Sequence, residues 1–155
     1  MRDIFEDSEG SVWIGTDSGI NRFRDATITT WGIRKGLTEE FARAVLEDRK
    51  GRVWVATSDG LFAITAATVK HYGREQGLVS GAVLSLAEDA GGTLWVGTNG
   101  GGIHRLVGDR FDVQSDELGI AVGPVRAILP ARARPLWVGT RPGPGGPAGE
   151  KPVPQ

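Results

Sequence analysis

Three pairs of acidic residues recur along the 155-residue chain and are the first candidates for chemistry. The pairs are Glu6-Asp7, Glu47-Asp48 and Glu88-Asp89. Neighbouring carboxylates can act as general acid and base or bind Ca²⁺, but the two carboxylates of a glycosidase must face each other across one site. In each pair the aspartate stands three residues before a glycine, which is typical of a type I turn. We therefore predict a turn-forming aspartate beside a solvated glutamate in three separate turns.

The remaining polar motifs do not assemble a catalytic or metal site. His71 and His104 are the only histidines, whereas a metal site takes about three or four ligands. The run Gly100-Gly101-Gly102 lacks the Lys-Ser/Thr of a P-loop and is interpreted as a turn. The chain has no cysteine, which excludes thiolate catalysis and disulfides. We predict no catalytic residues, no metal and no cofactor.

Charge and hydropathy narrow the range of partners. The net charge is −1 with both signs mixed along the chain, which argues against a nucleic-acid-binding or anionic-membrane surface. No apolar run reaches the roughly 20 residues of a membrane span. The N terminus, MRDIFED, lacks the apolar segment of a signal peptide. We therefore predict no nucleic acid and no membrane contact for this segment.

Four tryptophans, each inside the phrase VWIGT, VWVAT or LWVGT, are separated by 41, 41 and 42 residues. They are Trp13, Trp54, Trp95 and Trp137. A period of about 40 residues is that of one supersecondary unit copied along the chain. The indoles could form an aromatic platform for sugars, but so regular a period indicates packing between copies. We predict that all four are structural residues of the repeat, buried between neighbouring units.

Each repeat contains four short apolar segments separated by glycine-rich turns, at about ten residues per segment and turn. A small residue two places after each tryptophan fits the close approach of a neighbouring sheet. Units of this kind form the four-stranded blades of β-propellers. The sequence therefore predicts an all-β fold, an incomplete β-propeller with three four-stranded antiparallel blades plus a partial fourth. The predicted boundaries are about 1–37, 38–78 and 79–120 for the complete blades and 121–140 for the partial one.

The fourth copy departs from the pattern. Residues 130–135, PARARP, replace the acidic turn, and residues 141–155 are rich in proline and glycine. We predict that 141–155 form a disordered tail. Because propellers have about four to eight blades, three blades and a stub leave sheet faces exposed. We expect the chain to be part of a longer protein, with remaining blades or self-association covering those faces.

The repeated phrase, an acidic pair followed by LWVGT and a glycine-rich turn, resembles the two-component regulator propeller repeat. The resemblance covers about residues 1–140, three times in full and once in part. It implies a non-catalytic sensor propeller of a bacterial hybrid histidine kinase. In that family a ligand, often a carbohydrate, is expected to bind the propeller and change kinase output. The resemblance also implies a periplasmic or other extracytoplasmic location for the parent protein.

Two other propeller functions stay open. The streptogramin lyase family has similar repeats and a histidine-plus-metal site on its top face. A lyase would require His71 and His104 to face each other over the channel mouth. A purely structural protein-interaction propeller would require no ligand at all.

Binding residues of propellers collect in loops at one end of the central channel. In this chain, that end holds the turns between the second and third strands and the loops between blades. We predict four hydrogen-bonding contacts there for a small-molecule or carbohydrate ligand. They are Asp17, Arg43, Asp59 and Asn99.

Overall fold

The computed structural model describes residues 2–32, 35–37, 41–115, 118, 120, 123–130, 136–140 and the backbone of 151–153. Four antiparallel sheets follow one another along this part of the chain. The first contains β1 (Asp3–Glu6), β2 (Val12–Thr16), β3 (Gly19–Arg24) and β4 (Thr27–Trp31). The second contains β5 (Ala44–Glu47), β6 (Val53–Ala56), β7 (Leu61–Ile64) and β8 (Val69–Tyr72), followed by a 3-10 turn at Arg74–Gln76. The third contains β9 (Val83–Glu88), β10 (Leu94–Thr98), β11 (Ile103–Val107) and β12 (Arg110–Val113), and the fourth β13 (Val125–Pro130), β14 (Leu136–Thr140) and β15 (Lys151–Val153).

The four sheets are arranged around one axis. The first strand of each sheet lies beside the first strand of the next, so that β1, β5, β9 and β13 are neighbours in that order. Asp3 Oδ2 accepts a hydrogen bond from the Val45 backbone N–H at 2.8 Å, and the Ser85 hydroxyl donates to the Val125 carbonyl at 3.0 Å. The other strands of each sheet follow outward in sequence order. The prediction of an incomplete β-propeller with three four-stranded blades and a partial fourth is confirmed.

Each of the first three blades buries its tryptophan-bearing face against the aliphatic face of the blade that follows. Trp13, Trp54 and Trp95 lie in three successive apolar cores and expose at most 4% of their surface. Val45 and Val55 of the second blade pack into the core that contains Trp13. Burying a large apolar side chain contributes about 1.5–3 kcal/mol, so these interfaces account for much of the stability of the stack.

One carboxylate fixes each acidic turn to its tryptophan. Asp48 Oδ1 accepts a hydrogen bond from the Arg52 backbone N–H at 3.0 Å, and Oδ2 accepts from Trp54 Nε1 at 2.8 Å. Burial acts to raise the pKa of Asp48, but the hydrogen bonds from Trp54 and Arg52 outweigh it and hold the pKa below the ordinary 3.8. The equivalent indole bonds are Asp7–Trp13 at 2.7 Å and Asp89–Trp95 at 2.9 Å. The predicted turn role of the three aspartates is confirmed.

The glutamate before the turn aspartate joins neighbouring blades. The Glu47 carboxylate accepts hydrogen bonds from the Ser8 backbone N–H at 2.8 Å and from the Ser8 hydroxyl at 3.0 Å. The Glu88 carboxylate accepts from the Arg49 backbone N–H at 3.1 Å. Ser8 and Arg49 lie in the acidic turns of the preceding blades. The prediction of solvated glutamates is therefore wrong for Glu47 and Glu88, because the stack places each beside turn N–H groups that require an acceptor.

The small residue after the tryptophan approaches a neighbouring strand at different distances in different blades. A Cβ added at Gly97 would lie 2.2 Å from Ser85 Oγ and 2.6 Å from the Val125 carbonyl oxygen, whereas at Gly15 the nearest atom would be 3.2 Å away. We expect Gly97→Ala to lower the free energy of unfolding by about 1–3 kcal/mol through overpacking. Gly15→Ala, which copies Ala56 of the second blade, is expected to change it by less than about 1 kcal/mol. Urea denaturation measures both, and equal losses would contradict the difference in packing.

The fourth blade lacks the acidic turn, and its tryptophan is exposed. Pro130 stands at the place of Glu88, and residues 131–135 lie outside the described residues. Trp137 exposes 39% of its surface and the neighbouring Leu129 exposes 65%. The prediction of a buried tryptophan is wrong for Trp137, because the described structure places no fifth blade against this face. The first blade also exposes large apolar side chains: Ile4, Phe23 and Ile28.

The predicted tail contains a strand. Lys151–Val153 forms β15 and pairs antiparallel with β14, with Pro152 opposite Trp137. The prediction of disorder is therefore wrong for 151–153, while 141–150 and 154–155 lie outside the described residues. Composition alone missed this strand because the outer edge of β14 offers backbone N–H and C=O groups that any extended segment can pair with. Proline is tolerated there because β15 is an edge strand.

Candidate ligand site at the propeller axis

Four residues at equivalent positions of the four repeats line one cavity of about 220 Å³. They are Arg2, Arg43, Leu84 and Arg126. Each precedes the tryptophan of its own repeat by eleven residues. Arg2 and Arg43 directly precede β1 and β5, while Leu84 and Arg126 lie in β9 and β13. Because these are the innermost strands, the cavity lies at the axis, and every blade contributes a side chain to it.

Backbone geometry holds these side chains at the axis. The N–H groups of Arg2 and Arg43 donate to the carbonyl oxygens of Gly15 and Ala56, at 2.8 and 2.7 Å. Arg126 is the extra residue of a β-bulge, since Val125 pairs with Thr140 and Ala127 pairs with Gly139. Bulges redirect a side chain and occur often beside functional sites. The same irregularity falls at the leucine of the third blade, where Val83 and Ser85 pair with adjacent residues of β10.

The cavity is lined by positive charge. Arg2 Nε lies 2.5 Å from Asp17 Oδ1, and this hydrogen bond lowers the pKa of the Asp17 carboxyl. Within the described ranges, neither Arg43 nor Arg126 forms an ion pair. The described lining therefore carries three guanidinium groups and one adjoining carboxylate.

The structure separates the four predicted contact residues into two groups. Arg43 lines the cavity, and Asp17 adjoins it through its ion pair with Arg2. Asp59 and Asn99 are not among the described lining residues. The Asp59 carbonyl oxygen lies 3.0 Å from His71 Nε2, and the Asn99 backbone N–H donates to the Ala82 carbonyl. Ligand contact by any of the four stays a prediction.

Sequence reasoning missed Arg2 and Arg126, although a signal for both was present. Once the tryptophans are aligned, arginine occupies the same position in three of the four repeats, a position otherwise filled by Leu84. Arg43 was predicted as a ligand contact only because it lies in a loop between blades. Comparing the four repeats at each position would have identified the whole set.

The two histidines lie apart from this cavity. His71 is on β8, the outermost strand of its blade, and its ring packs against Phe62 with centroids 4.7 Å apart and the ring planes tilted by 38°. His104 is fully buried on β11, where burial lowers the pKa of its imidazole and Nε2 accepts a hydrogen bond from the Val79 N–H at 3.2 Å. The described part of the chain contains no group of three or more His, Asp or Glu side chains placed to hold a metal ion.

Three segments of the chain match the model of the two-component regulator propeller: residues 1–18, 36–59 and 77–100. Each segment contains one acidic turn and its tryptophan, the pair joined by the carboxylate–indole hydrogen bond. These are two-component regulator propeller repeats. The fourth blade, which has lost the acidic turn of the regulator repeat, is outside the matched segments.

Solved structures share the fold of these regulator propeller repeats. Extracellular domains assigned to two hybrid two-component systems from B. thetaiotaomicron are 24% and 21% identical, with TM-scores of 0.75 and 0.74. Each match covers 90% of this chain, and the chain spans 20% and 22% of those domains. An inactive virginiamycin B lyase from Staphylococcus aureus with quinupristin is 22% identical, with a TM-score of 0.66. That match covers 87% of this chain and 47% of the lyase chain. No curated protein matches the chain.

Within the described residues, no helix has the length and apolar character that crossing a bilayer requires.

Proposed function

We propose that this propeller is the ligand-binding sensory segment of a bacterial two-component regulator and carries no catalysis itself. The observation that carries the proposal is the axial cavity, to which all four blades contribute a side chain at the same repeat position. A ligand in that cavity contacts several blades at once. Its binding energy therefore depends on how the blades are set relative to one another, which is what a sensor must report. The regulator repeats and the extracellular neighbours support an extracytoplasmic location, periplasmic in the parent.

The lyase alternative is disfavoured by the histidines. A histidine-plus-metal site requires imidazoles that converge on the channel mouth. His71 instead lies on an outermost strand and His104 in the blade core, where it accepts a backbone N–H. The fold similarity to virginiamycin B lyase therefore supports no lyase chemistry in this chain.

The open sheet faces of the first and fourth blades suggest a second class of partner, another propeller blade. Within the chain, a tryptophan face always meets an aliphatic face. The fourth blade leaves a tryptophan face open at Trp137, and the first blade leaves an aliphatic face open at Ile4 and Ile28. We propose that a blade of the same kind covers each of them.

A thermal-shift screen tests ligand binding at the axis. Ligand at one hundred times Kd stabilises the folded state by about 2.7 kcal/mol, which raises Tm by roughly 5–10 °C for a chain of this size. We expect at least one small molecule or oligosaccharide to produce such a shift. Leu84→Trp, which fills the cavity, is expected to abolish it. Val107→Trp adds the same ring at an exposed position of β11, an outer strand away from the axis, and is the matched control.

The proposal fails if a broad panel gives no shift, because that result favours a purely structural propeller. It also fails if Leu84→Trp responds like the unmodified chain, because the ligand then binds elsewhere.

A further inference from the structure

We infer that the axial cavity recognises an oxyanion, a carboxylate, sulfate or phosphate group carried by the ligand, with Arg43 and Arg126 as its main contacts. The inference rests on the proposed function, since it names the chemical class of ligand that the same cavity takes. Nothing in the family match or in the names of the neighbouring structures specifies this class.

The charge of the cavity contrasts with that of the chain. The whole chain has a net charge of −1, yet three of the four described lining residues are arginines from three different blades. Like charges gathered around one cavity repel each other, and an anion between them replaces that repulsion with attraction. Arginines that served only as solvated surface charges would have no reason to meet around one cavity.

Hydrogen-bonding capacity points in the same direction. A guanidinium group has five N–H donors in a planar fork that matches the two oxygens of a carboxylate, sulfate or phosphate. Asp17 accepts from Arg2, so this arginine is partly occupied. In the ranges that the structure describes, no hydrogen bond is formed by the side chains of Arg43 and Arg126. Both project from backbone that is fixed by the sheet, through an N–H bond to Ala56 and a β-bulge, respectively.

The size of the cavity limits what enters it. Pockets for drug-sized ligands are about 300–1,000 Å³, and a water molecule takes up about 30 Å³. A cavity of about 220 Å³ holds one charged group with its nearest atoms, while the rest of a larger ligand extends outward. The ligand class is therefore a small acid or an anionic sugar, bound by its charged end.

Isothermal titration calorimetry with four probes tests the inference: galacturonate, galactose, sodium sulfate and sodium phosphate. We expect galacturonate to bind and neutral galactose not to bind at the same concentrations. Arg43→Gln and Arg126→Gln are each expected to weaken binding about tenfold, since each removes a charge-assisted contact. Arg43→Lys keeps the charge but loses the fork, so it should fall between Arg43→Gln and the unmodified chain. Arg110→Gln, an exposed position on β12, removes the same charge away from the axis and should change nothing.

The inorganic ions distinguish the sources of the oxyanion. Sulfate or phosphate that competes with galacturonate indicates that the cavity binds the anionic group itself. Binding by galacturonate alone indicates a carboxylate presented on a sugar. Either result supports the inference if it depends on Arg43 and Arg126.

Two outcomes overturn it. If none of the three anions binds at millimolar concentration, the inference is wrong. If galactose and galacturonate bind equally and both arginine variants bind as the unmodified chain does, the ligand is not recognised by charge. In that second case, loss of galactose binding in Leu84→Trp would show that a ligand does bind at the axis. The proposed function would then stand, and only the recognition of an oxyanion would be rejected.

Discussion

Trp54→Ala is expected to lower the free energy of unfolding by about 3–5 kcal/mol, a large fraction of the stability of a domain of this size. Trp54 is fully buried between the second and third blades, 5.3 Å from the Tyr72 ring. Its removal leaves a cavity and also takes the indole donor from Asp48 Oδ2, a buried carboxylate oxygen that then keeps only the hydrogen bond from Arg52 Nε. Urea denaturation followed by circular dichroism measures the loss.

Trp137→Ala is the matched control, because the same residue type is removed from the same repeat position. Trp137 is 39% exposed and has no acidic turn partner in the described part of its blade. Measured at protein concentrations at which the chain is monomeric, the expected loss is about 1 kcal/mol or less. If both substitutions destabilise the chain equally, the contribution of a tryptophan to stability does not depend on its burial by the next blade. The proposed packing of the blades is then wrong.

The second large effect expected is self-association of the purified chain through its two open faces. The tryptophan face of the fourth blade and the aliphatic face of the first repeat the pairing that joins neighbouring blades within the chain. An exposed apolar face of this kind favours association. A head-to-tail dimer would have about twice the 16.5 kDa mass of the chain. Sedimentation velocity measures the mass in solution.

Two single-face variants make this prediction specific. Trp137→Arg blocks the tryptophan face and Ile28→Arg blocks the aliphatic face, and both positions are exposed enough to accept a charge without loss of the fold. Each variant alone is expected to be monomeric. Mixed together they should form a heterodimer, because one intact face of each kind remains. A dimer of Ile28→Arg alone would show that tryptophan faces pair with each other, and a monomeric unmodified chain would reject association through these faces.

The fold could be predicted because its signals are local and repeated. The spacing of Trp13, Trp54 and Trp95 indicated one unit copied three times, and the turn aspartates followed from their distance to a glycine. The bridging role of Glu47 could not be predicted in the same way. It depends on Ser8 of the preceding blade, which lies beside the glutamate only after the blades stack.

The errors at the fourth blade have a common cause. The burial of Trp137 depends on a following blade that its own sequence does not specify. The strand at Lys151–Val153 depends on an unpaired edge of β14 rather than on the composition of the tail. At the candidate site, loop position indicated Arg43 alone. The sheet then brought Arg2 and Arg126 to the same cavity, since equivalent positions of a propeller repeat meet at the axis.

The arginines share a cavity only if the blades stack face to face, as the burial of Trp13, Trp54 and Trp95 indicates. Hydrogen exchange of the indole N–H groups tests this most directly. Two-dimensional nitrogen–proton NMR resolves the five indole signals of the chain. In the monomeric Ile28→Arg variant we predict slow exchange for Trp13, Trp54 and Trp95, which are buried between blades and donate to the turn aspartates of their own blades. We predict fast exchange for Trp137, whose face is open in that variant. Fast exchange at all positions, or protection of Trp137 equal to that of Trp54, would contradict the stacked-blade arrangement.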